Sequence, residues 1–527
     1  MGNLIPWWSI GQRLLSVLLV ISLLWAAAPT TALAQSISPS EDAAADQSIQ
    51  PYIDRALERV TEFTLDNGIK FIVMERHQAP VVSFMTYVNV GAAEEADGKT
   101  GAAHYLEHLA FKGTRQIGTT NYDAEKEVLE KLDGLFDQIK AAQETEDAEA
   151  LASLLADFDE TQAMASQYVI QNQLPLIVQR AGGVGLNATT SADATRYFYS
   201  FPSNKLELWM SLESERFLDP VFREFYEEKE VILEERRMRV DNSPIGRMVE
   251  EFLATAFTTH PYRRPTIGYA DDLQAMTRED VREFFETYYV PNRMIMAVVG
   301  DVDPAAVQRL ATTYFGRYPA RPPAPEMAVV EPTQTELREI TLRLPSQPWY
   351  MEGYHRPGIN HPDHLVYQII NSILSGGRTS RLYKSLVEEK QIALAAQSFD
   401  GLPGDRFPNL IMFYALTAPG HTVEELADAF RIEIERLRTE PVSEQELERV
   451  KTQARAGLLG ILSSNQGMAS LLPEYEAKTG SWRNLFEDLK ALEEITAADV
   501  MRVAQATFRP ENRTVGKILP QDDQSQP

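Results

Sequence analysis

The sequence predicts an α+β protein of two homologous modules joined by a proline-rich linker, with a helical hairpin inserted in the first. Three observations carry that prediction. The pattern Thr277, Asp280, Val281, Pro291, Asn292, Arg293 returns as Thr496, Asp499, Val500, Pro510, Asn512, Arg513, at one constant offset until a single inserted residue before the last pair. Each half therefore ends in a capped helix followed by a strand. Between the two copies lies Pro319-Ala-Arg-Pro-Pro-Ala-Pro325, a run made semi-rigid by its prolines. Residues 124–171 abandon the strand-and-turn pattern: Val128, Leu129, Leu132, Leu135, Phe136 and Ile139 recur at helical spacing, and Leu151, Leu154, Leu155 and Phe158 do so again. We read two antiparallel helices joined near Thr145-Glu-Asp147, forming a coiled-coil-like arm, a lid or a docking arm.

Composition narrows the function classes. The chain has 527 residues, 44% hydrophobic, enough to bury a large core. Lys and Arg number 50 against 76 Asp and Glu, a formal charge of −26. Nucleic acid and anionic membrane faces are excluded as partners by that balance, whereas basic or extended peptides suit it. A solvated acidic surface accounts for the charge equally well. Cysteine is absent, so stability rests on the cores and not on disulfides.

Taken in order, the chain opens on an export signal. Arg13 is the only charge before an apolar run over residues 14–28, and Ala32-Leu-Ala34 has the small-x-small form of a cleavage site. The run is short for a spanning helix, so no stable membrane span is expected after cleavage; an uncleaved signal would leave the protein anchored. Residues 35–58 read as a flexible lead-in. Asn67-Gly68, between Phe63-Thr-Leu65 and Ile69-Lys-Phe-Ile-Val73, is a strong hairpin signal, and residues 81–90 continue as a third strand. Gly91, Gly98 and Gly101 then break the extended run. A strand, a glycine-rich connection and a ligand-bearing helix place the site at a sheet edge with the hairpin behind it.

That helix carries His104-Tyr-Leu-Glu-His108. Residues three and four apart are helix neighbours, so two imidazoles can grip one zinc ion while Glu107 stands beside them, placed to take a proton from water. Gly113 can cap the helix end. With 8 His in the whole chain, an accidental pair at this spacing around a Glu is improbable. Downstream, residues 184–190 and 195–201 read as two strands, the second alternating loosely; their edge could accept an extended peptide.

Catalytic zinc needs at least three protein ligands with one position open. The third is sought on the helix from Phe225, where Glu228, Val231, Ile232 and Glu235 share a face. Glu235 then lies on an apolar stripe, and a carboxylate buried there needs a metal or an ionic partner such as Arg239. In the second half, His361-Pro-Asp-His364 lacks the intervening Glu and suits a helix start, so that half reads as non-catalytic.

These residues together resemble the inverzincin peptidases of the pitrilysin and insulinase (M16) family, nearest the bacterial processing-peptidase branch. The likeness runs from about Tyr52 to Pro520 and rests on residues 101–114 (GAAHYLEHLAFKGT), on Asn187-Ala188-Thr-Thr190, on Glu228 to Glu235, on His260-Pro-Tyr262 and on Pro291-Asn292. It implies a zinc endopeptidase of paired α/β modules, each a mixed, mainly antiparallel sheet with helices packed on one face, only the first module holding metal. His104, His108 and Glu235 would be ligands and Glu107 the general base. Glu228 would orient a ligand, and Asn187 and Ala188 would lie on the strand that pairs with substrate main chain. The interval from His108 to Glu235 exceeds the family's usual spacing, and the arm accounts for the excess.

The implied organisation is a signal peptide at 1–34, the lead-in at 35–58, a catalytic module at 59–318 with the insertion at about 124–173, a linker at 319–333, an inactive homologous module at 334–520 and a tail at 521–527. In such a family two module pairs enclose a chamber for unfolded peptides. A one-pair chain is expected to form a homodimer, or a heterodimer with a related subunit lacking the motif, in an extracytoplasmic compartment. The rival readings are a weakly active or non-catalytic subunit of such a complex, and a peptidase specific for a small precursor peptide.

Overall fold

Hairpin chemistry and an apolar strand set build the first sheet. The structure, a computed structural model, describes residues 50–521; the expected signal peptide and all but the first residue of the expected tail lie outside the described residues. Strands β1 (Val60–Thr64) and β2 (Lys70–Glu75) pair antiparallel around Asn67-Gly68, with Gly68 at φ +102° as the turn requires. β3 (Val81–Val88), β4 (Val184–Thr190), β5 (Thr195–Pro202) and β6 (Met294–Gly300) complete six strands in the order β1-β2-β6-β3-β5-β4. β6 runs parallel to β2; the other pairs are antiparallel. The returning strand β6 inserts between the hairpin and β3, so β3 is interior and the sheet's two edge strands are β1 and β4. β5, expected to alternate loosely, alternates strictly between buried and half-buried residues.

The second sheet repeats the plan with β7 (Arg338–Leu344), β8 (Trp349–Arg356), β9 (Ala393–Leu402), β10 (Asn409–Thr417) and β11 (Arg513–Pro520) in the order β7-β11-β8-β10-β9. Again one pair, β7 with β11, is parallel. The sequence repeat maps onto equivalent elements. Thr277 and Thr496 each cap a helix in a reciprocal box with Asp280 and Asp499, and each helix leads into a short turn and then β6 or β11.

Each sheet packs its own helices on one face, as expected. The opposite faces are covered by exchange between the halves, which the sequence did not announce. Helix Asn465–Thr479 lays Met468, Ala469 and Leu472 on the first sheet's outer face beside Met85, Tyr87 and Val299. Reciprocally, helix Pro244–Ala256 sets Met248 and Phe252 against Met351, Met412 and Ile518 of the second sheet. Burying these faces at roughly 25 cal/mol per Å² of apolar surface makes the two halves one hydrophobic unit. Polar keys register them: Arg196 on β5 meets Glu474 at 2.9 Å, and Asp193 accepts the backbone N–H groups of Asp405 (2.8 Å) and Arg406 (3.1 Å).

Residues 35–49 of the expected lead-in lie outside the described residues, and its end is corrected. Helix Gln50–Leu57 occupies its end and buries Ile53 in the same cluster as Ile72 and Met74. Residues 319–337 carry no helix or strand.

The arm is the pair of helices Tyr122–Glu144 and Ala148–Ser166. Buried polar bonds fix it to the first module, which speaks against a lid. The Arg223 guanidinium, fully buried, meets Glu125 at 2.8 Å and donates to the carbonyls of Lys112, Ile117 and Thr114. Asp133 accepts from Tyr226 and Arg278, and the Lys229 ammonium sits 3.9 Å from the Phe136 ring centre. Burial pulls Lys229 down to about 7.

Candidate metal centre

Helix Ala102–Leu109 is short, and its place is set at both ends. Its N-cap, Gly101, adopts φ +91° and has no side chain to offer the free N–H groups of the first turn. Glu95 supplies the acceptors instead, taking the N–H of Gly101 and of Ala103 at 2.9 Å each. Asp272 does the same for Thr100 at 3.1 Å. The helix ends at Leu109 with Ala110 as its C-cap, not at Gly113, which turns the chain three residues later at φ +96°. Tyr105, Leu106 and Leu109 face the core. The Tyr105 ring stacks on Phe225 at 4.5 Å and its hydroxyl donates to the Phe225 carbonyl, which docks this helix on helix Phe225–Arg236.

That contact brings the candidate ligands together. Glu235 Oε2 lies 3.4 Å from His108 Nε2 and 3.7 Å from His104 Nε2, and one donor atom from each residue falls within 4.8 Å of the others. Ligands on tetrahedral zinc at roughly 2.0–2.1 Å stand about 3.3 Å apart, so the three donors fit one such ion and leave a fourth position. The other Glu235 oxygen takes Arg239 at 2.8 Å, so the ionic partner and the metal-facing position are compatible. The apolar-stripe argument for Glu235 needs correction. Val231 is 51% exposed, and the buried face of the helix is Phe225, Glu228, Lys229, Ile232 and Arg236. Glu235 is half-buried beside that face, held by its charge partners.

The two imidazoles differ. Burial, then the charge on His108, depresses His104 to about 4, and its Nδ1 finds no hydrogen-bond partner among the described residues. A neutral imidazole is the metal-binding form, and on His104 the nitrogen that faces Glu235 is Nε2. For His108, burial is outweighed by the carboxylates of Glu228 and Glu235, which hold it up at about 9. Glu228 Oε1 meets His108 Nδ1 at 2.8 Å, the contact by which an outer carboxylate fixes a ligand's tautomer and ring plane. Its other oxygen takes the Lys112 ammonium at 2.6 Å. Burial opposes ionisation of Glu235, yet His108, His104 and Arg239 draw it down to about 2.

Glu107 does not join the donor group. Its Oε2 accepts from Thr190 Oγ1 at 2.6 Å, at the end of the edge strand, and burial raises its pKa above the ordinary carboxylate range despite that bond. A carboxylate beside the donor group but outside it is placed to exchange a proton with water there. Asn187 and Ala188 lie on β4, Asn187 exposed and Ala188 buried against the core. Sequence reading missed Glu95, Lys112 and Thr190. Lys112 and Thr190 stand inside the quoted stretches 101–114 and 187–190, where no role was assigned to them.

Among the described residues, the second-half histidines form no such group. Asp363 takes the N-cap position of helix His364–Ser375, at the helix start expected there, without a capping bond from its side chain, and His364 meets Asp488 at 2.9 Å. Among the described residues, no helix is long and apolar enough to cross a membrane.

Comparisons with known proteins identify the family and the fold. The profile of Insulinase (Peptidase family M16) matches residues 70–148 and 163–269, and that of the Peptidase M16 inactive domain matches 275–454. The break in the first falls inside the second arm helix. The zinc protease PqqE of Helicobacter pylori is 28% identical over 471 residues, 87% of this chain and 92% of that one. A probable mitochondrial-processing peptidase subunit beta of Schizosaccharomyces pombe is 25% identical over 86% of this chain and 90% of its own length. The crystal structure of a protease from Helicobacter pylori superposes with a TM-score of 0.74 at 26% identity, covering 88% of this chain and 99% of that one.

Proposed function

Because the chain belongs to the M16 insulinase family of peptidases, we propose that it is a zinc endopeptidase acting on unfolded or extended peptides. His104, His108 and Glu235 hold the metal, Glu107 is the general base, Glu228 orients His108, and Asn187 and Ala188 lie where substrate main chain pairs. Zinc, when bound, supplies a Lewis acid that polarises a carbonyl and makes water more acidic. Glu107 accepts the proton of the attacking water and returns it to the leaving amine, its carboxylate held in place by Thr190. The edge strand β4 has β5 on one side and a free main-chain row on the other, which holds an extended peptide in register. The arrangement that carries the reading is a carboxylate outside the donor group, on the same helix as two of its members. A structural zinc site usually has four protein ligands and no spare carboxylate.

The domain division at 59–318, 319–333 and 334–520 and the exported location accompany this proposal. So does enclosure of the peptide by a second copy or a related subunit lacking the motif. Sizing of the mature protein, alone and with such a subunit, tests the assembly. For the chemistry, Glu107→Gln abolishes peptide cleavage while zinc content stays at the wild-type level. A Gln variant cutting at the native rate overturns the assignment.

A further inference from the structure

β4 and β5 close one end of the first sheet, and β9 and β10 close the corresponding end of the second. Their turns, residues 191–194 and 403–408, meet between the halves. Asp193, 2% exposed, stands in the first turn. It accepts the N–H groups of Asp405 (2.8 Å) and Arg406 (3.1 Å) and the Tyr262 hydroxyl, which itself accepts the Phe407 N–H at 3.3 Å. Gly404 is fitted to that carboxylate: its backbone is not left-handed, but a Cβ there would collide with Asp193 Oδ2. The same loop also reaches the segment beneath the turn. The carbonyls of Ser191 and Ala192 accept the N–H groups of Ala92 (3.0 Å) and Ala93 (2.9 Å), and the next residue, Glu94, buried, takes the Arg406 guanidinium at 3.0 Å. Loop 403–408 thus grips both the turn and its support. The turn continues β4, whose last residue is Thr190, and the Thr190 hydroxyl donates to Glu107 at 2.6 Å.

We propose that the second module positions Glu107 through this contact, with Asp193 as a positioning residue of the reaction. The proposal rests on the peptidase reading above. The module without a metal group then has a part in the chemistry. Its loop fixes the turn, the turn fixes the end of β4, and Thr190 at that end holds the carboxylate beside the metal centre. A buried carboxylate whose oxygens are all taken by donors across the junction is suited to that task, because few other arrangements satisfy the same groups.

The test compares zinc-loaded variants of the mature protein on one unstructured peptide. Asp193→Ala removes the acceptor, and Gly404→Ala attacks the same contact from the second module. Each lowers kcat roughly tenfold or more, the scale of a small misplacement at a reacting centre, while KM and zinc affinity change less than about threefold. The double variant is no slower than Asp193→Ala, since both substitutions remove one contact. Asp193→Asn, which keeps one acceptor oxygen, recovers most of the activity. Glu62→Ala controls for a merely structural role. It breaks the bonds from Arg483 (2.7 Å) and Trp482 (3.1 Å) that join the halves at β1, the other edge of the first sheet, and leaves kcat unchanged. Amide hydrogen exchange over residues 184–195 reads the strand without turnover: it is faster in Asp193→Ala and Gly404→Ala and unaltered in Glu62→Ala. Native kcat in Asp193→Ala, an equal loss in Glu62→Ala, additive losses in the double variant, or exchange indifferent to both substitutions at the contact overturns the proposal. Absence of turnover in wild type overturns the peptidase reading instead, and the exchange alone then decides whether the second module holds the turn.

Discussion

Replacing Glu228 by Ala isolates the contact that orients His108. The carboxylate is 7% exposed, so water does not freely take its place, and its 2.8 Å bond to Nδ1 is charge-assisted. Hydrogen bonds to charged groups contribute about 1.5–3 kcal/mol net. At 1.4 kcal/mol per tenfold, zinc affinity falls roughly ten- to hundredfold, the range found for outer partners of metal-ligating histidines. Lys112 loses its shorter partner and keeps Glu224 at 3.4 Å, which adds to the loss at the site. Glu228→Gln lies between wild type and Ala, because an amide oxygen still accepts from Nδ1. Competition with a zinc-responsive fluorescent chelator measures the affinities. Glu234→Ala is the control: that carboxylate, 55% exposed, pairs with Arg237 on the solvent side, and its removal changes zinc affinity less than twofold. Wild-type affinity in Glu228→Ala, or an equal loss in Glu234→Ala, refutes the reasoning.

Other outcomes follow from the same contacts. Glu95→Ala leaves two N–H groups of the ligand helix without acceptors and lowers unfolding free energy by about 2 kcal/mol, read by urea titration, with weaker zinc binding. Glu125→Ala strands the buried Arg223 charge and costs about 3 kcal/mol in the same assay, whereas exposed Glu130→Ala on the same helix costs under about 0.5 kcal/mol. Burial opposes ionisation of Glu474, but Arg196 and Lys478 draw its folded pKa to about 2, below its unfolded value. Its stabilisation is therefore present above about pH 4.5 and is lost as pH falls from there through about 2. Glu474→Gln flattens the acid limb of stability in that window, as followed by circular dichroism.

Local signals were the legible part of this molecule. The HYLEH spacing, the Asn67-Gly68 turn, the two capping boxes and the arm helices each depend on residues a few positions apart, and each takes the form its sequence implies. The arm's length explained the long interval before Glu235. Glu235 itself was identified from a helical face drawn one residue off: Val231 points to solvent, and charge partners hold the carboxylate where an apolar stripe was inferred. Contacts made only by the fold left no local pattern. The insertion of β6 between β2 and β3 places strands far apart in sequence side by side. The exchange of helices between the halves depends on faces that also read as ordinary amphipathic helices. Glu95 stands in a glycine-rich connection, where nothing in the spacing marks it as the acceptor for a helix that starts seven residues later.

The central claim is that folding joins the two histidines of one helix to Glu235 of another in a three-residue metal centre with an open position. Zinc-edge X-ray absorption of the loaded mature protein tests it most directly. The account predicts one zinc per chain with two imidazole nitrogens at about 2.0–2.1 Å, the rest of the shell oxygen, and a changed shell in Glu235→Gln. A spectrum unaltered by Glu235→Gln, or one requiring four protein ligands, would contradict it.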